Sequence, residues 1–136
     1  MATSPIGLIV ATHGDLASVL VETTEMVLGR TSTLHAFTFH EGEDARTSSE
    51  RLQALVRKSE KGSGVIIMAD LFGGTPGSLA LSMLDEPDLE VITGVNLPMA
   101  VTAATLDSQR TLREASEALV TAGREAIKAA GTLLGS

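Results

Sequence analysis

Five residues have the types and spacing to do chemistry together: His13, Asp70, Gly73, Gly74 and Thr75. His13 ends an apolar, β-branched run at residues 6–11, and Gly14 beside it leaves room for another group to approach the ring. Alone, such a histidine reads equally well as one satisfied by hydrogen bonds in its own turn. Asp70 ends a second apolar run and leads into Leu71-Phe72-Gly73-Gly74-Thr75-Pro76. A carboxylate bonded to one imidazole nitrogen fixes the tautomer and leaves the other lone pair free as a nucleophile. Two glycines before a helix offer backbone N–H groups to an anion, with the positive end of the helix dipole behind them. Thr75 is expected to cap that helix in the resting protein and to donate to a phosphoryl oxygen when one is present. Nucleophilic ring, orienting acid and anion cradle together describe phosphoryl transfer to histidine. No Walker loop and no kinase-type glycine loop with its lysine strand is present. The chemistry expected is therefore a carrier's, receiving an already activated group without cofactor or metal.

These residues can act together only if the fold brings positions 13 and 70 to one place. The first run reads as a buried strand, followed by a helix over residues 16–28 closed by Gly29, with Asp15 as its cap or first-turn acid. A second strand is predicted at 34–39, an acidic turn at 40–44, and a helix at 45–60 with Leu52, Leu55 and Val56 on its apolar face. Residues 65–69 form the third strand. Thr75 and Pro76 then read as N-cap and first residue of a helix continuing through Leu84 to the turn at Pro87. A fourth strand follows at 89–93, Pro98 opens a helix at 99–106, and one long amphipathic helix carrying Leu112, Leu119 and Ile127 runs over 111–130. The class is α/β: an open, doubly wound four-stranded parallel sheet with helices on both faces. In strand order 2-1-3-4 the first and third strands are neighbours and their helices diverge, which puts the switch-point crevice between residues 13 and 70. Strands ~4.8 Å apart let those side chains meet.

Composition narrows the partners. The 136 residues suit a single domain, 1–136. Aromatics are 2% against 43% hydrophobic residues, so aliphatic side chains must build the core, as buried parallel strands require. The formal net charge of −7 and the lack of any basic cluster argue against nucleic acid. There is no cysteine, no bilayer-length apolar run and no signal-peptide pattern at MATSP, so a cytoplasmic location without membrane insertion is expected. His35 is expected at the surface. His40 lies near the carboxyl end of the second strand, but no helical histidine pairing supports a metal site with His13 and Asp70. Met26, Met83 and Met99 read as core filler. Leu71, Phe72, Leu97 and Met99 flank the proposed site, where an exposed apolar rim would suit a transient protein partner.

The strand leading into ATHGDLA, then TTEMVLG, HEGED, VIIMADLFGGTP and VITGVNLPM occur in this order over nearly the whole chain. In this the sequence resembles the IIA component of the mannose-type branch of the bacterial sugar phosphotransferase system. The resemblance implies that His13 takes a phosphoryl group from the phosphocarrier HPr and passes it to a IIB partner, here a separate protein. It implies Asp70 as the ring-orienting acid and Thr75 as a phosphoryl-binding hydroxyl. It leaves open a homodimer, although the tail TLLGS is short for a swapped strand, and peripheral association with a membrane permease complex. Two other readings stand beside it. One is a regulatory module binding an anion or a partner in the same crevice without phosphoryl turnover. The other is the related phosphotransfer subunit of dihydroxyacetone kinases, against which DLFGGTP and GVNLPM favour the sugar branch.

Overall fold

The computed structural model describes residues 5–107 and 109–135. Four parallel strands, β1 (Gly7–His13), β2 (Leu34–Phe39), β3 (Val65–Ala69) and β4 (Leu89–Thr93), lie in the order β2-β1-β3-β4, as expected. Among the described residues six helices accompany them: α1 (Leu16–Leu28), α2 (Ala45–Ser59), α3 (Gly74–Leu81), α4 (Leu97–Ala104), α5 (Leu112–Glu125) and the short α6 (Ala130–Leu133). Strand alternation divides the core. Leu8, Val10, Ile66 and Met68 face α1, α4 and α5, while Ile9, Ala11, Val65 and Ile67 face α2 and α3. The central strands are therefore apolar at consecutive positions, because each is covered on both sides.

Three local expectations change. Helix α3 has Gly73, and not Thr75, at its N-cap, and no side chain caps it. Gly74 takes a φ of +79°, so glycine backbone turns the chain before Thr75 is reached. That helix ends at Leu81, and turns carry the chain to β4 past an exposed Leu84. The long terminal helix stops at Glu125, five residues short. Ile127 beyond it is exposed, so it buries no apolar surface that would extend the helix. At its other end α5 is fixed by a capping box between Thr111 and Glu114, which satisfies two otherwise orphaned N–H groups.

The GVNLPM segment is structural. Asn96 Oδ1 accepts from the Met99 N–H at 3.0 Å, capping α4, while its Nδ2 donates to the Gly123 carbonyl of α5 at 3.0 Å. Met99 is only 3% exposed and packs with Val10, Met68 and Leu119, its methyl so close to Gly123 that an added Cβ would lie 2.9 Å away. It is a core residue and no part of a rim. Met83 is buried too, but Met26 is exposed, contrary to expectation. Met99→Ala should lower the unfolding free energy by ~2–5 kcal/mol in urea titration, whereas Phe72→Ala, which empties no core space, should change it by less than ~0.5 kcal/mol.

Candidate functional site

Ala11 of β1 is level with Ala69 of β3, so the two chains leave the sheet side by side. His13 Nδ1 lies 3.0 Å from Asp70 Oδ2, and the same oxygen accepts from the His13 backbone N–H at 3.1 Å. The other carboxylate oxygen accepts from the Leu71 N–H at 2.9 Å. Asp70 is thus held by backbone at both oxygens while it holds the ring. With Nδ1 donating, the lone pair of the neutral ring is on Nε2. That nitrogen faces Gly74, where an added Cβ would stand 2.5 Å from Nε2 and 2.6 Å from Cε1. Residue 74 must be glycine both for its left-handed φ and for this contact.

The ring is open to solvent, its side chain 44% exposed, while that of Asp70 is 13% exposed. Burial pushes the Asp70 carboxyl up. The hydrogen bonds from the His13 ring and backbone, the ring's charge and the Leu71 N–H together outweigh it and leave the group below its ordinary value. Helix α3 begins at Gly74, against the ring, so its positive end stands beside Nε2 with no side-chain oxygen occupying it. Thr75 is partly buried in the first turn of that helix.

Some contributors were not legible in the sequence. Thr12, fully buried, accepts from the Ala17 N–H at 2.7 Å and so caps α1 from the strand below. A lone hydroxyl at the carboxyl end of an apolar strand was the available signal. Gly77 admits the backbone of the Leu71-Phe72 loop, for its Cβ would lie 2.6 Å from the Leu71 carbonyl oxygen. Gly14 has open space around it and serves through its φ of +56° and its N–H, which donates to the Phe39 carbonyl at 2.7 Å. Room for the ring comes from Gly74.

Leu71 and Phe72 are well exposed, and Leu97 is half-buried. Leu16 and Val19, on the solvent side of α1 just after His13, extend this apolar surroundings of the site. His40 pairs with Asp15 at 2.8 Å and does not join His13 and Asp70; among the described residues no three metal-ligating side chains are grouped to hold an ion. Asp15 accordingly makes no side-chain cap on α1. His35 is half-buried four residues before the end of β2, where burial, then Lys58 and Lys61, push its pKa down. A groove of about 680 Å³ between β4 and α5, lined by Val91, Thr93, Val120 and Arg124 among others, does not include His13.

Residues 7–120 match the model of the EIIA-man family, described as the PTS (phosphotransferase system) fructose IIA component. The chain belongs to this family. It is 36% identical over 126 residues to the mannose-specific EIIAB component of the PTS of Escherichia coli strain K12, covering 91% of this chain and 39% of that protein. With the fructose-specific EIIA component of Bacillus subtilis strain 168 it shares 30% identity over 110 residues, 80% of this chain and 75% of that one. Among solved structures, the mannose/sorbose specific IIA subunit from Enterococcus faecalis superposes with a TM-score of 0.81 at 27% identity, over 92% of this chain and 94% of that chain. The four-stranded sheet is thus the fold of the EIIA-man family, and the chain spans well under half the length of the E. coli relative.

Two outcomes test this geometry in the EIIA-man chain. Gly74→Ala should displace the imidazole, seen as a change in the His13 ring ¹⁵N shifts, and cost ~1 kcal/mol or more through the positive φ. Because the folded-state pKa of Asp70 is depressed, its contact with His13 contributes stability above the unfolded carboxyl range near ~3.9 and loses it as pH falls through the lower folded value. Asp70→Asn should therefore destabilise at neutral pH and progressively less as the solution is made more acid than that range, measured by denaturant unfolding.

Proposed function

We propose that this EIIA-man chain is a phosphocarrier in sugar uptake or its regulation, with His13 as the phosphorylated residue. The observation that carries the reading is the Nδ1–Asp70 contact, which leaves Nε2 as the free nitrogen against the start of α3. In the step proposed, Nε2 attacks the phosphorus of a donor's phosphohistidine. A new N–P bond forms as the donor's N–P bond breaks, and the donor nitrogen leaves with the electron pair. Asp70 stabilises the positive charge that the His13 ring gains, in the manner of other orienting carboxylates. The phosphoryl oxygens fall to fixed donors: the backbone at Gly73 and Gly74, the first turn of α3, and the Thr75 hydroxyl. Transfer to an acceptor histidine is the same step reversed.

The donor is an HPr-like phosphocarrier and the acceptor a IIB component. A ring this exposed, with Leu71 and Phe72 beside it, suits a protein's phosphohistidine better than a small substrate enclosed in a pocket. The protein acts in the cytoplasm, peripheral to a membrane permease complex, and a homodimer is compatible with the role. Among the described residues no helix is long and apolar enough to cross a membrane. A module that only sensed an anion would have no need of a ring fixed in one tautomer, which disfavours the purely regulatory reading. Membership of the EIIA-man family disfavours the dihydroxyacetone kinase subunit.

Incubation with phosphoenolpyruvate, enzyme I and HPr should add one phosphoryl group to the intact mass. His13→Ala should abolish the gain, while His35→Ala and His40→Ala keep it. Asp70→Asn should slow labelling by ~10²–10⁴-fold, and Thr75→Ala by ~10–100-fold if its hydroxyl serves the phosphoryl group. Labelling that survives His13→Ala would refute the assignment.

A further inference from the structure

We infer that His40 is a positioning residue for phosphoryl transfer at His13: it takes up the Asp15 carboxylate, whose charge would otherwise oppose the arriving phosphoryl group. The inference rests on the reading of His13 as the phosphoryl acceptor. Asp15 sits two residues beyond His13, at the N-cap position of α1, where a carboxylate ordinarily folds back onto the first-turn N–H groups. It does not do so here. Thr12 serves the Ala17 N–H from below, and the Asp15 side chain, 80% exposed, reaches across the turn to His40 Nε2 at 2.8 Å.

The turn at the end of β2 is arranged to leave that ring nitrogen to Asp15. His13 is level with Phe39 in the β1–β2 register, and the Gly14 N–H donates to the Phe39 carbonyl, so His40 emerges beside the His13 turn. Its other nitrogen, Nδ1, lies 3.7 Å from Glu43, whose carboxylate also accepts from the His40 backbone N–H. Glu43 in turn is paired by Arg51 of α2, which donates to the Thr38 carbonyl at 3.0 Å and stacks 4.6 Å over the Phe37 ring. Arg51 neutralises Glu43, and the His40 ring is left for Asp15. Both partners of the Asp15–His40 contact are largely exposed, so the contact adds little to stability. Its consequence is electrostatic. A phosphohistidine brings about two negative charges to a site where Asp70 is already engaged by the ring and by backbone. Asp15 lies on the His13 turn itself and, bonded to His40, has no part in holding the ring.

The test is single-turnover phosphorylation of the whole protein by phosphorylated HPr at low salt, followed by intact mass, with melting curves confirming that each variant is folded. His40→Ala should lower the maximal rate ~3–10-fold, the size of a charge effect acting through solvent over several ångströms, with the half-saturating HPr concentration unchanged. Asp15→Asn should transfer at the wild-type rate or faster. The double variant His40→Ala/Asp15→Asn should return to within ~2-fold of wild type, and salt near ~1 M should shrink the His40→Ala defect by screening. A His40→Ala protein at the wild-type rate, a defect confined to half-saturation, or a double variant as slow as His40→Ala would overturn the inference while leaving the phosphocarrier reading intact. A wild-type protein that takes no label overturns both.

Discussion

The bond from Asp70 to the His13 ring is the contact on which the site depends, and it exists because β1 and β3 are parallel neighbours. Residues 57 apart in sequence meet only where two strands end side by side and their following helices part to opposite faces of the sheet. The order β2-β1-β3-β4 achieves this, and it is one that the right-handed rule for parallel crossovers allows. The carboxylate is anchored by the His13 and Leu71 N–H groups as well as by the ring, so ring orientation is a property of the backbone and not of one flexible side chain.

Around that contact, side-chain bulk is removed where groups must approach. Gly74 brings the start of α3 against Nε2, and Gly77 lets the Leu71-Phe72 loop close onto the same helix. The outcome is an exposed imidazole whose free nitrogen lies beside a helix N-terminus that no side chain caps. With the ring this open to solvent, any charge that develops on it must be met by groups already in place.

Helix α1 leaves apolar side chains on a face that its own sheet does not cover. Ala17 and Thr24 are buried, with Leu20 and Val21 packed toward the core, yet Leu16, Val19, Met26 and Val27 are exposed. The helix is apolar on two faces and only one is covered within this chain. Apolar spacing puts Met26 in the core, but it marks only a helix's periodicity and not how many of its faces the sheet will cover, and Met26 is exposed.

The sequence by itself determined the alternation of strands and helices, the parallel class, and His13 and Asp70 as partners. Those follow from local signals: apolar runs ending abruptly in polar residues, and glycines or prolines where the chain must turn. Tertiary structure decided what depends on through-space fit. The Gly73-Gly74 turn, shaped by the approach of the His13 ring, moved the cap of α3 away from Thr75. Packing against Gly123 drew Met99 inward, and α5 ended at Glu125 with Ile127 left exposed. Thr12 in place of Asp15 came to serve the start of α1, because a strand's last buried hydroxyl lies beneath the helix that follows it. The meeting of Asp15 with His40 was equally invisible in the linear chain, since it needs β1 and β2 in register at their carboxyl ends.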